Sequence, residues 1–135
     1  MLSIKQFFLS SLGLFIVSVS MAATPVEELL QKYRHQGAAN VSAAAGKAFW
    51  NQRFRPANAS QDRSCTSCHT SNLRQEGKHA VTGKPIKPLA PSVMSKRLTN
   101  PTKIRKWLRR NCSWTLGREC SPQEKANVLT YLKDQ

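Results

Sequence analysis

Residues 65–69 read CTSCH, and no other stretch of the chain restricts its fold so tightly. Two thiols two residues apart, with an imidazole directly after the second, form the attachment pattern of a c-type haem. One tight turn lays both sulfurs along a porphyrin edge, where Cys65 and Cys68 form thioethers with the vinyl groups. The same turn sets His69 beneath the iron as its ligand from one side. A chain built this way folds around a large planar group, not around its own side chains alone. A zinc site would need Cys112 and Cys120 as its second half, at a spacing zinc sites do not use, and would leave the histidine idle. A thioredoxin-like redox pair would want a strand and a helix that the flanking sequence lacks.

The start of the chain says where such a turn would be made. Met1 to Ala22 holds one charge, Lys5, then the apolar run FFLSSLGLFIVSVS and small residues at Ser20 and Ala22. This is the pattern of a secretory signal peptide over residues 1–22, with a single domain over 23–135. The apolar run is short and serine-rich for a bilayer span, and nothing later approaches that length. Export puts the protein in the periplasm, where disulfides persist. With Cys65 and Cys68 committed to haem, Cys112 and Cys120 remain as the only possible pair.

The formal charge of +14 is unevenly spread. Between Glu76 and Glu119 there is no acidic residue, whereas Lys78, Lys84, Lys87, Lys96, Arg97, Lys103, Arg105, Lys106, Arg109, Arg110 and Arg118 all fall there. Charge runs are usually solvated faces. A face of this sign also attracts polyanions, but an exported protein rarely meets nucleic acid, and an acidic protein partner fits better.

Every periodic segment reads as helix. Thr24, Pro25 and Glu27 cap a first one, with Val26, Leu29, Leu30 and Tyr33 on one stripe before Gly37. A second starts near Ser42, with Val41, Ala45, Ala48 and Phe49 on its expected buried side and Gly46 available for close helix approach. Asn100 and Pro101 open a third, whose expected buried stripe is Ile104, Trp107, Leu108 and Asn111. Ser121, Pro122 and Glu124 repeat the capping pattern ahead of Val128, Leu129 and Leu132. No strand alternation is visible, and Pro85, Pro88, Pro91 and Pro101 keep the segment before the third helix irregular. Four short helices with long loops bury little surface, so a staple or a central cofactor is needed. The expected fold is all-α, of the class I cytochrome c kind, with about four helices around one covalently attached haem c.

The sixth iron position has few candidates: Met94, His79, His35 and Asn111. Met94 has the conventional chemistry of an electron carrier. His79 lies among basic residues, and His35 ends a helix, where a solvent-facing role is the default. Asn111 is the anomaly, since a carboxamide on an apolar stripe costs free energy unless it is satisfied. It could bond a free carbonyl at the helix end, or its oxygen could meet iron.

CTSCH, then GKHAVTGKPIKPLAP, then KIRKWLRRNC with a second cysteine in GREC, and a final SPQEKANVLTYL, resemble the sphaeroides haem protein family of class I c-type cytochromes. The resemblance covers most of the chain after residue 22, and asparagine followed directly by a bridged cysteine is its specific part. It implies His69 as proximal ligand, Asn111 as a distal ligand of oxidised haem that leaves on reduction, and a Cys112–Cys120 disulfide. The related cytochrome c'' type uses histidine where this chain has Asn111. The resemblance further implies a dihaem cytochrome c as electron donor, with a membrane cytochrome b upstream.

Chemistry agrees with ligand release. An amide oxygen is a hard donor, tolerable for ferric iron and poor for ferrous iron, so reduction opens a position for oxygen, nitric oxide or carbon monoxide. The expected function is therefore electron transfer combined with binding of a small diatomic. Two alternatives stand beside it. One is a haem enzyme such as a nitric oxide dioxygenase or a peroxidase, disfavoured because no acid or base accompanies Asn111 unless His79 folds in. The other is a plain electron carrier ligated by Met94. By charge, Lys84, Arg97 and Arg105 are candidates for the haem propionates, and the class I pattern offers the Pro88 carbonyl as a partner for His69.

Overall fold

The computed structural model describes residues 22–135, so all but the last residue of the expected signal peptide lies outside it. Four helices carry the fold: α1 (Pro25–His35), α2 (Ala43–Asn51), α3 (Pro101–Leu116) and α4 (Pro122–Lys133). Two two-residue strands, β1 (Gly77–Lys78) and β2 (Pro85–Ile86), pair antiparallel with Gly77 opposite Ile86. Among the described residues no helix is long and apolar enough to cross a membrane.

Helix α1 starts where Thr24 accepts a hydrogen bond from the Glu27 amide at 3.3 Å. It buries Val26, Leu29, Leu30 and Tyr33, the residues its period singles out. They cluster with Ala38, Ile104, Ala126 and Leu129. Leu29 and Leu129 are fully buried, and each contributes about 2 to 3 kcal/mol of transfer free energy. At the other terminus Ser121 and Glu124 form a reciprocal capping box that starts α4. That helix is apolar on two sides. Its Ala126 and Leu129 meet α1, while Val128, Tyr131 and Leu132 join Trp50, Leu73 and Ala90 in a second cluster.

Helix α2 departs from its expected face. Ala45 and Ala48 are exposed, and the buried residues are Gly46 and Trp50. The contact at Gly46 explains the rotation. A Cβ there would stand 2.1 Å from the Asn127 carbonyl oxygen, so the backbones of α2 and α4 touch where only glycine fits. Backbone contact, not the alanine pattern, sets the helix's orientation.

Helix α3 departs in two ways. It runs on through Cys112 to Leu116, so Asn111 lies well inside it and not at its end. Its buried residues are Ile104, Cys112 and Thr115, with Leu108 half-buried; Trp107 is 53% exposed and Asn111 is exposed. The apolar stripe therefore splits. One line packs on α1 and the bridge to Cys120, while Trp107 and Asn111 lie on an adjacent face that the protein's own core does not cover.

The far end of α3 is held at several points. Gly117 takes φ +74° as its left-handed cap and packs against Pro56. Cys112 is bonded to Cys120, with Cα atoms 5.5 Å apart. Arg63 donates to the Trp114 carbonyl at 2.8 Å and stacks on its ring.

Candidate haem site

The CTSCH segment forms a 3-10 turn over Cys65–Ser67, closed when the His69 amide donates to the Cys65 carbonyl at 3.0 Å. Upstream, Phe54 and Arg63 exchange backbone hydrogen bonds at 2.8 Å, which anchors the loop leading into it. Ser67 Oγ accepts from the Ser64 amide. Downstream, β1 backs the turn: the Lys78 amide donates to the Cys68 carbonyl at 2.8 Å. A Cβ on Gly77 would come within 2.2 Å of that same oxygen, so glycine is required there. This hairpin went unseen in the sequence because two-residue strands have no period to read.

Cys65 and Cys68 are both free and half-buried. Burial pushes the Cys65 thiol up to about 12, with the Cys68 sulfur adding a smaller rise. The Ala80 amide points at Cys68 Sγ, 3.3 Å away. His69 is half-buried, its ring 5.5 Å from that of Trp50. Burial first, then the charge of Arg97, lowers its pKa to about 4, so at neutral pH the imidazole is uncharged and keeps a lone pair.

A cleft of roughly 540 Å³ is lined by Met94, Trp107, Lys87, Lys96, Arg97, Lys103 and Lys106, and Cys65, Cys68 and His69 are not among its lining residues. Met94 thus shares a wall with the exposed ring of α3. Asn111 lies one turn further along the helix and lines neither this cleft nor the similar one at the far end of α3, among Asn58, Arg63, Arg109, Arg110, Ser113 and Trp114. His35 is exposed at the end of α1. His79 is exposed, and its Nδ1 accepts from the Val81 and Thr82 amides at 3.2 Å each, which turns it into its own loop. Of the three cations considered for the propionates, Lys84 and Arg105 are exposed and only Arg97 reaches the cleft. The Pro88 carbonyl, expected to serve His69, accepts from Arg97 Nε at 2.7 Å.

These residues fit a covalent haem. Two unbonded thiols and a neutral imidazole share one rigid turn, and a cleft with an apolar wall and a basic rim suits a flat apolar ring bearing carboxylates. The buried Trp50 Nε1, with no hydrogen-bond partner, is the lone such side-chain atom among the described residues. They do not fit zinc: Cys112 and Cys120 are spent on each other, and among the described residues no cluster of three metal-binding side chains exists.

The family model of a domain of unknown function, DUF1924, matches residues 36–132. Cytochrome c'' of Methylophilus methylotrophus is 39% identical over 125 residues, covering 88% of this chain and 86% of that protein. Its solution structure, described as giving insight into haem-ligand detachment, aligns over 82% of this chain and 93% of that one at 40% identity, with TM-score 0.70. Oxidised SHP, described as an oxygen-binding cytochrome c, aligns over 84% of this chain and all of that one at 35% identity, with TM-score 0.75.

Proposed function

The chain belongs to the DUF1924 family and to the group of c-type cytochromes that includes SHP and cytochrome c'', and from this premise we propose that it works in the periplasm, passing electrons and binding a small diatomic once reduced. It is a monohaem cytochrome with covalently bound haem c. When bound, that group supplies the one-electron chemistry and, with its sixth position open, the site for oxygen, nitric oxide or carbon monoxide.

In this reading Cys65 and Cys68 would fix the group, and His69 and Asn111 would ligate its iron. The observation that carries it is the face on which Asn111 lies. The exposed line Trp107–Asn111 runs beside a stripe closed by Ile104, Cys112 and Thr115, so the carboxamide is kept out of the core and free to meet a ligand partner. A hard amide oxygen holds ferric iron and gives way on reduction. The relatives support release in kind: one is described as oxygen-binding, the other in terms of ligand detachment.

Reduction needs a partner, and the α3 surface suits an acidic one. Among the described residues none of the cations from Lys78 to Arg110 makes an ion pair, and Lys103, Arg105 and Arg109 are exposed. A dihaem cytochrome c fed by a membrane cytochrome b is the donor in this reading.

Met94 in the cleft wall favours a second reading, a plain carrier ligated by sulfur. One series separates them: absorption and magnetic circular dichroism of the ferric, ferrous and carbon monoxide-treated ferrous protein. High-spin ferrous haem that takes up carbon monoxide is expected, and low-spin ferrous haem indifferent to it makes Met94 the ligand.

A further inference from the structure

The cleft at the far end of α3, of roughly 530 Å³, carries charge of one sign only. Asn58 and Arg63 form its loop side, and Arg109, Arg110, Ser113 and Trp114 its helix side. It shares no lining residue with the cleft of Met94 and Arg97, and Cys65, Cys68, His69 and Asn111 do not line it.

Arg63 is held in place on three sides. Its backbone exchanges hydrogen bonds with Phe54 at 2.8 Å, its Nη1 donates to the Trp114 carbonyl at 2.8 Å, and its guanidinium stacks 4.6 Å from the centroid of that residue's ring. A guanidinium has five N–H donors, so others remain for an anion. Helical spacing assembles the opposite wall: Arg109 with Ser113, and Arg110 with Trp114, are each four residues apart and share a face. Arg110 is steadied by the Trp107 ring, 5.3 Å away.

No acid of the chain answers these charges. Glu27, Asp62, Glu119 and Glu124 pair with Lys133, Arg55, Lys125 and Arg118, and among the described residues Arg63, Arg109 and Arg110 make no ion pair. Even Asp62, next to Arg63 in the chain, is turned to Arg55. A cleft walled by one sign of charge focuses its field and concentrates counter-ions. Guanidinium forks match the oxygen geometry of phosphate, and the Ser113 hydroxyl and Asn58 amide add neutral donors.

We propose that this cleft binds a tetrahedral oxyanion, phosphate or a phosphate monoester, between Arg63, Arg109 and Arg110. Its volume falls within the range of small-molecule sites, about 300 to 1,000 Å³, which leaves room beside Trp114 for the organic part of an ester. The site does not depend on haem, so its failure would leave the cytochrome reading intact.

Isothermal titration calorimetry of the haem-loaded protein tests it with inorganic phosphate and with phenyl phosphate, in about 0.15 M chloride to screen diffuse attraction. Saturable one-to-one binding with a dissociation constant below about 1 mM is expected. Arg109→Gln and Arg110→Gln, both at exposed positions that the fold does not need, should each weaken it about tenfold. Lys47→Gln removes equal charge from an exposed position on α2 and should leave the affinity unchanged. Arg109 also belongs to the docking face, so the readout is ion binding and not reduction by a donor. Tighter binding of phenyl phosphate makes an ester the ligand, and equal or weaker binding makes it the free ion. No saturable binding of either compound, or an equal loss in Lys47→Gln, overturns the proposal.

Discussion

Asn111 and Cys112 are sequence neighbours in α3 that occupy opposite environments: Asn111 is exposed, whereas Cys112 is 6% exposed and bonded to Cys120. One helical step rotates a side chain by about 100°, enough to put one residue in the core line and the next on the open face. The bridge thus holds the helix rotation that presents Asn111. Because α3 continues to Leu116, the bridged residue is not a frayed end, and in the proposed ligand exchange Asn111 would move by its own rotamer or with the helix as a body.

Asn111→Ala should alter the ferric absorption and electron paramagnetic resonance spectra at neutral pH, because the sixth ligand is lost or replaced by water, and leave the ferrous spectrum as it was. Met94→Ala should change neither. Ferric absorption and electron paramagnetic resonance read both variants, and an unaltered ferric spectrum in Asn111→Ala would remove the amide from the iron.

Replacing Cys112 and Cys120 together by alanine should cost about 2 to 3 kcal/mol on the loop-entropy model for so short a loop. Denaturant midpoints measure that cost. Stopped-flow reoxidation of the same variant should show slower recovery of the resting ferric spectrum. Recovery at the wild-type rate would leave the bridge with a stabilising role and no part in ligand exchange.

The start of α4 should carry an acid-sensitive share of the stability. The Glu124 carboxylate receives Arg118 at 2.8 Å through both oxygens and also caps the Ser121 amide at 2.7 Å. Bonding to Arg118 first, with Ser121 adding to it against the opposing effect of burial, holds its pKa below the ordinary carboxylate value. Stability from a depressed carboxylate is fully present above the unfolded-state pKa and lost as pH falls through the folded-state value. Glu124→Gln should therefore cost about 1 kcal/mol near neutrality and flatten the acid limb of a stability-against-pH curve. The two curves should meet at low pH, and a constant gap down to pH 2 would contradict the assignment.

Changing Lys103, Arg105 and Arg109 together to glutamine should slow reduction by an acidic donor about tenfold at low salt and weaken the dependence on ionic strength. Reduction by a small neutral reductant should be unaffected. Equal rates with the protein donor would take the docking surface away from α3.

Local chemistry made much of this molecule legible in advance. A capping residue, a proline in the first turn and a clean stripe define α1 and α4, because cap hydrogen bonds and the 3.6-residue period are short-range and need no partner to be recognised. The CTSCH turn is equally local, since its purpose is written in five consecutive residues. The face of α2 was not readable: alanine and glycine carry almost no amphipathic signal, and the Gly46–Asn127 backbone contact chose the orientation. Nor was the split of the α3 stripe, where Trp107 and Asn111 share a period with Ile104 but not a neighbour. Charge alone put Arg97 level with Lys84 and Arg105, because its partners are the carbonyls of Lys87 and Pro88, and backbone acceptors leave no trace in residue identity. Sequence alone showed where the helices start and which turn carries the haem-attachment pattern; which surfaces close on each other, and so which side chains are left facing the cleft, was decided by packing between segments far apart in the chain.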